Sequence, residues 1–223
     1  MISNSIRKIQ KRIEAIPAPG AIIYNAIVKK MLSKQELEFA KEILQKIREG
    51  VLIDIGSGTG FLSIEIAKNA PNLKVYGIDL SKKMIEIASA NAKNLKNIRF
   101  KHANAENLPF RDESVDLIVS TGSFHHWKHP IKVYNESYRV LKKNAEAWIY
   151  DGCSDLPPQY IQKLIRKYGF LKYSYFNQVA RMHGFPWKEY QTDIKSMLTK
   201  TKFKNNFKME LINNWMKISL TKV

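Results

Sequence analysis

A three-layer α/β fold, with a mostly parallel sheet covered by helices on both faces, is predicted by three observations. Short apolar runs alternate with amphipathic ones, a glycine-rich turn joins the first such pair, and the alternation gives way near the end to two runs separated by a pair of asparagines. From Ser33 to Ile47, SKQELEFAKEILQKI sets Leu37, Ala40, Ile43, Leu44 and Ile47 at helical spacing, with Ser33 as N-cap and Glu36 three residues on as its reciprocal partner. VLIDI from Val51 to Ile55 is a buried strand, GSGTG a turn, and FLSIEIAKNA a helix. The alternation continues with a strand from Leu73 (LKVYGI), a helix from Ser81 (SKKMIEIASANAKN), strands from Asn97 (NIRFKH) and Val115 (VDLIVS), a helix from Ile131 (IKVYNESYRVLKK) and a strand from Ala145 (AEAWIYD). Such alternation implies parallel strands buried on both sides. After Asp151 the rhythm fails, and residues 153–205 carry helical stretches rich in aromatics, prolines and lysines, an insertion or cap. The tail, NFKMELI and WMKISLTK around Asn213 and Asn214, reads as a tight hairpin that closes the sheet.

Composition narrows the function classes. With 223 residues and 44% hydrophobic content the chain can bury a core without staples, and no internal repeat or flexible linker divides it. The single cysteine, Cys153, rules out an internal disulfide framework and a Cys-rich zinc site, and suits a reducing compartment, so a cytoplasmic location is expected. No signal-peptide core and no membrane-spanning run is present in the sequence. The net charge is +17, distributed as 10 Lys/Arg against 5 Asp/Glu over residues 1–50, 14 against 11 over 51–152, and 13 against 4 over 153–223. A basic periphery around a balanced centre suits an RNA partner, although lysines spaced along helices are more often a solvated face.

In DIGSGTG, Gly56, Gly58 and Gly60 follow a strand and precede a helix, where glycine admits a ligand close to the backbone and the helix offers unpaired N–H groups. A dinucleotide fingerprint needs glycine at position 61, which is Phe61, and a Walker loop needs Gly-Lys-Ser/Thr where Gly60-Phe61-Leu62 stands. Asp79 ends the second strand and can reach the same crevice, where a carboxylate accepts both hydroxyls of a ribose; capping the helix that begins near Ser81 is its other reading.

DIGSGTG, GIDLS, ANAENLPF and VDLIVSTGSFHHW together resemble the class I S-adenosylmethionine-dependent methyltransferases, in particular the branch that includes quinone-ring methyltransferases, over residues 50–152. The resemblance implies a Rossmann-like, doubly wound sheet of seven strands in the order 3-2-1-4-5-7-6 with a reversed terminal hairpin. It implies an N-terminal helical segment, residues 1–48, folded over the cofactor, and a methyltransferase domain over 49–223 with its cap at about 153–205. Carried over residue by residue, Gly56, Ser57, Gly58 and Gly60 would pass under the methionyl and ribose portions of S-adenosyl-L-methionine, Asp54 would meet the amino group, and Asp79 would hold the diol. Leu80 would pack on the adenine, with Met84, Asn104, Ala105, Glu106 and Thr121 completing the cofactor set. Asn104 stands where the family has aspartate, and its amide oxygen can still accept from the adenine amino group. LKKNAEAW lacks the family's Pro-Gly-Gly turn, and Asn144 can take the left-handed conformation in its place. Tyr24 would meet the methionyl carboxylate or else pack in the core.

Methyl transfer, with S-adenosyl-L-homocysteine as product, requires in-line approach in a dry site more than any fixed catalytic group. His125 or His126 is placed to act as general base; the alternative is one histidine packed under the cap and one solvated. No metal site is expected from His125, His126 and His129, which have no carboxylate at ligand spacing. Tyr160, Tyr168, Phe170, Tyr173, Tyr175, Phe176, Phe185 and Trp187 form an apolar acceptor pocket, a base-stacking surface or a cap core. The expected acceptor is a small cyclic or apolar metabolite. RNA and a non-catalytic cofactor-binding module are the alternatives, and the Asn/Asp-Pro-Pro turn of amino-directed nucleic-acid enzymes is absent after the fourth strand.

Overall fold

The computed structural model describes residues 35–182 and 184–223. Helix α1 covers residues 35–46. Then follow β1 (Gly50–Ile55), α2 (Phe61–Asn69), β2 (Leu73–Asp79), α3 (Lys82–Asn91), β3 (Ile98–His102), β4 (Val115–Thr121), a 3-10 turn (Phe124–His126), α4 (Pro130–Val140) and β5 (Leu141–Ser154). The cap consists of α5 (Pro158–Tyr168), α6 (Phe170–Met182), β6 (Gly184–Pro186) and a helical run α7 over 187–199, before β7 (Phe207–Ile212) and β8 (Trp215–Thr221).

The sheet runs β3-β2-β1-β4-β5-β8-β7, with β6 paired to β5 off this path. Strands β1 to β5 pair in parallel, and β8 joins β5 and β7 antiparallel. The expected order is therefore present, with β7 and β8 as the terminal hairpin and the three-residue β6 as an eighth strand that no periodicity announced. Gly184 permits it: a Cβ there would lie 2.1 Å from the Gly152 carbonyl oxygen.

Residues alternate between two cores. Leu52, Leu117, Val119, Trp148 and Tyr150 face α1 and α2, while Ile53, Ile55, Ile118, Ala147 and Ile149 face α4 and the cap. From α1, Ile43 and Leu44 are buried as their spacing predicts, and Phe39 joins them by stacking on Tyr150 at 4.3 Å. Each such side chain stabilises the helix on the sheet by about 2 kcal/mol. Ser33, the expected cap, lies outside the described residues.

The helix expected from Ile131 through LKK ends at Val140. Leu141 instead pairs with Val115, Lys142 bonds Asp116 at 2.7 Å, and the next ladder pair is Leu117 with Glu146, so β5 opens with a bulge. Asn144 sits in that bulge at φ +63°, the left-handed conformation its side chain tolerates, and donates its N–H to the Lys222 carbonyl. The terminal hairpin turns with Asn213 at φ +58°, while Asn214 is not in the left-handed region. At its far end β5 runs through Ser154, so residues 153 and 154 belong to the sheet and not to the cap.

Candidate cofactor and methyl-transfer site

The carboxyl ends of β1 and β2 hold the glycine turn. The N–H groups of Gly56 and Ser57 both donate to the Ile78 carbonyl, at 2.8 and 3.0 Å. Gly58 N–H donates to Asp79 Oδ2 at 2.9 Å, and Ser81 N–H to Asp79 Oδ1 at 2.8 Å. Asp79 thus braces the turn, and Ser81 supplies the helix cap through its own hydroxyl, which accepts from Met84 N–H. Burial raises the Asp79 carboxyl, against the opposing pull of those two N–H groups and of His102. The glycines divide their work. A Cβ on Gly56 would collide with Ser123 at 2.4 Å, whereas one on Gly58 (φ +53°) would meet nothing within 4 Å, so the backbone at Gly58 is the face left open to a ligand. Helix α2 begins at Phe61 with Gly60 as its N-cap and no side-chain cap, leaving its first N–H groups toward the same crevice.

Asp54 lies beneath the turn and is 1% exposed. Its Oδ2 accepts from Ser63 Oγ at 2.5 Å, and its Oδ1 has no partner among the described residues. Burial pushes this carboxyl up to about 7; the Ser63 hydroxyl opposes the shift and the charge of Asp79 adds to it. Glu36, on the first turn of α1, is likewise pushed up to about 7, by burial first and by Asp54 second. Three carboxylates from α1, β1 and β2 therefore share one poorly solvated region, a well for a cationic ligand group. The Ser57 hydroxyl is also buried there without a partner among the described residues.

Other expected contacts fall around this turn or away from it. Leu80 is half-buried, its carbonyl 2.9 Å from His102 Nε2, and Met84 is fully buried behind the Ser81 cap. Asn104 is exposed at the end of β3, with Oδ1 accepting from Glu106 N–H at 2.8 Å. That amide oxygen has one lone pair left for an adenine amino group. Half-buried Ala105 and Thr121 are at the ends of β3 and β4. Glu106 is turned elsewhere: its carboxylate bonds His129 Nδ1 at 2.7 Å and lies 3.7 Å from Lys132. Tyr24 is outside the described residues.

On the other face of the sheet, His125 sits in the 3-10 turn after β4 and is 6% exposed. Asp151, at the end of β5, accepts from the backbone N–H groups of His125 (2.7 Å) and Gly152 (2.8 Å), and lies 2.9 Å from His125 Nδ1. A carboxylate already occupied by donors makes Nδ1 the protonated ring nitrogen and leaves the lone pair on Nε2. His126 packs on the His125 ring at 4.0 Å. Phe124 ties this turn to the cap through Phe185 at 5.0 Å, and Tyr190 donates its hydroxyl to the Gly152 carbonyl at 3.0 Å. Sequence reasoning gave the histidines no acidic neighbour, yet Asp151 and Glu106 come to two of them from distant positions. Among the described residues no three His, Cys, Asp or Glu stand together as a metal site. Glu36, Ser63, Ser123 and Asp151 stand among these candidate residues, and the motifs gave them no part in the site. Ser123 joins Ser120, Trp127 and the Ile55 carbonyl at 2.6, 3.1 and 3.1 Å, locking β4 to β1. A shallow polar depression of about 460 Å³ near Lys74 and Asp116 lies at the amino ends of the strands, where open α/β sheets do not place ligands.

Residues 53–149 match the methyltransferase domain family. The fold is shared with a Methanococcus maripaludis protein titled as a candidate S-adenosyl-L-methionine-dependent methyltransferase. That protein is 28% identical, with a TM-score of 0.73 over 92% of this chain and 93% of that one. Residues 53–149 form a methyltransferase domain of the class I S-adenosylmethionine-dependent kind. The uncharacterized methyltransferase YcgJ of Bacillus subtilis is 34% identical over 45% of this chain and 40% of its own length. The demethylmenaquinone methyltransferase of Thermotoga maritima is 34% identical over 49% of this chain and 47% of its own. The chain thus spans less than half of the length of each of these two relatives. Among the described residues no helix is long and apolar enough to cross a membrane.

Proposed function

We propose that this protein binds S-adenosyl-L-methionine at the β1–β2 turn and transfers its methyl group to a small, cyclic or apolar acceptor. The observation that carries the reading is the buried, unpartnered Oδ1 of Asp54 beneath an open glycine turn: a desolvated carboxylate oxygen calls for a cationic donor, and the amino group of the cofactor is one. The residues fit the rest of that ligand. Asp79 has lone pairs beyond those used by Gly58 and Ser81 for a ribose diol, and Glu36 adds charge opposite the cationic portion.

Bound there, the cofactor would supply an electrophilic methyl group. The chain would supply position and a proton acceptor. Asp151 holds the His125 ring with Nε2 as the basic nitrogen, which suits a phenol, enol or similar acceptor that loses a proton as it is methylated. Phe124, Trp127 and Phe185, packed around this turn, provide the apolar surroundings such an acceptor needs. A thiol mechanism on a nucleobase has no support, because Cys153 is fully buried and its thiol is pushed up to about 12, by burial first and then by Asp155 and Asp151. The family relatives of quinone type agree with the small-molecule acceptor.

Calorimetric titration of the full chain with S-adenosyl-L-homocysteine tests the seat, and Asp79→Ala should weaken binding more than about tenfold, since a charged partner to two hydroxyls contributes about 1.5 to 3 kcal/mol. Labelled methyl transfer into fractionated cell extract tests the acceptor. Label in the small-molecule fraction is expected; label in nuclease-sensitive RNA would overturn the acceptor assignment, and failure of the wild type to bind the ligand would overturn the function.

A further inference from the structure

The outer face of the cap carries a run of exposed cations and apolar tips, of which Lys167 also donates to Asn213 Oδ1 at 3.2 Å and lies 5.0 Å over the Tyr168 ring. Between Asp155 and Glu189 the sequence has six Lys/Arg and not one Asp or Glu. Helix α5 buries Leu164 and turns Lys163, Arg166 and Lys167 outward on one face, at i, i+3 and i+4. Gly169, at φ +82°, then breaks the helix and redirects the chain. The corner so formed presents Phe170 at 65% and Leu171 at 82% exposure, followed by exposed Lys172, while α6 buries Tyr173 and Ala180 on its inner side. At the far end of α6, Arg181 is paired with Asp155 at 2.7 Å. The four around the corner have no carboxylate within their own segment.

We propose that this corner is a docking surface for an anionic lipid bilayer, with Phe170 and Leu171 entering the boundary between headgroups and acyl chains and Lys163, Arg166, Lys167 and Lys172 resting on anionic headgroups. An exposed Leu beside an exposed Phe leaves apolar surface in water at each, which insertion at the edge of a bilayer partly buries. Phosphate-bearing polymers satisfy the lysines, but they offer flat bases and hydrophilic backbone, surfaces on which a branched aliphatic tip gains nothing. A bilayer satisfies both halves, and an apolar tip combined with a basic cluster is the pair of signals that stable membrane attachment needs. Helix α6 packs against β5 and β6, whose paired ends close the carboxyl side of the sheet, so docking would bring that side toward the lipid. The surface is separate from the glycine turn and stands whether or not methyl transfer does.

Cosedimentation of the full chain with phosphatidylcholine vesicles, with and without phosphatidylglycerol, tests it. Binding is expected only with the anionic lipid and should weaken in high salt. The double variant Phe170→Ser/Leu171→Ser keeps every charge and should lower partitioning about tenfold. Replacing Lys163, Arg166 and Lys167 by Gln should lower it about a hundredfold, at about 1 kcal/mol per cation. A Leu171→Cys variant labelled with an environment-sensitive dye, Cys153 being buried, reads insertion in an otherwise intact protein and should blue-shift on anionic vesicles. No binding to anionic vesicles, binding indifferent to the Ser pair, or a dye that does not shift would each overturn the proposal, as would loss of RNA binding in the Gln variant without any vesicle binding.

Discussion

Asp54→Asn should make the ligand-free protein more stable above neutral pH while spoiling the cofactor seat. The native fold raises the Asp54 carboxyl from 3.8 to about 7, chiefly by burial. The folded protein therefore keeps a proton there that the unfolded chain releases near pH 4. The stabilisation from this group is complete below about pH 4, declines as pH rises and is gone above about pH 7. At about 1.4 kcal/mol per tenfold change in proton affinity the loss is about 4 kcal/mol, and relaxation around a buried ion brings it nearer 2 kcal/mol. Asparagine has the same shape, carries no charge at any pH and can still accept the Ser63 hydroxyl. Urea unfolding should show the variant about 2 kcal/mol more stable than wild type at about pH 8, with the gap closing toward pH 4. Its affinity for S-adenosyl-L-homocysteine should fall about tenfold, because a neutral amide cannot pair with the amino group as a carboxylate does. Equal stability at pH 8, or a gain that is the same at both pH values, would refute the claim that Asp54 is held there against its hydration.

Glu36 shares that region, so binding of a cationic ligand should expel protons near pH 7; calorimetry in buffers of different ionisation heat should show the release, and Glu36→Gln should reduce it. Asp151→Asn should lower turnover about a hundredfold and leave cofactor affinity within about twofold, since it alters the His125 tautomer and nothing at the glycine turn; an equal loss of affinity would make the residue structural. Gly60→Ala places a methyl 2.5 Å from the Phe100 ring at φ +82° and should cost more than about 1 kcal/mol of stability in thermal unfolding. Gly58→Ala has no such collision and should cost about 1 kcal/mol or less in stability while weakening ligand binding, a contrast that comparable losses in both assays would contradict.

The geometry of the candidate cofactor side was legible because its parts are close in sequence and fixed by local rules. DIGSGTG names a strand, a turn with positive φ and a helix start, and Asp79 and Ser81 declare their roles within three residues of each other. Their only surprise is one of division: Asp79 braces the turn while Ser81 does the capping. Glu36 was legible only as a capping partner for Ser33, since a carboxylate on the first turn of an amphipathic helix carries no sign that the helix will lay it over a second carboxylate. The end of α4 failed for a similar reason. LKK continues the helical pattern, and what stops it is the pairing of Leu141 with Val115 and of Lys142 with Asp116, contacts that no window of sequence contains.

The acceptor side is assembled from pieces that pattern cannot join. His125 and Asp151 are 26 residues apart and meet because β4 and β5 are neighbours, with the last residue of β4, Thr121, paired to Tyr150 beside Asp151. Phe185 and Tyr190 come from the cap, reached only through the irregular turn at residues 190–194 and the pairing of β6 with β5. Parity along the strands decides the rest. Asp54 shares its face with Leu52, toward α1 and α2, whereas Asp151 shares its face with Ile149, toward α4 and the cap. A ligand held by Asp54 and Asp79 must therefore reach across the carboxyl edge of the sheet to meet His125, and the crossing lies between Gly58, open to solvent, and Ser123, which locks β4 to β1. Under the proposed function, that geometry gives the two faces separate tasks, with cofactor retention on the α1 side and proton removal on the α4 side. Substitutions on one face should change affinity with little effect on the pH profile of turnover, and those on the other should do the reverse.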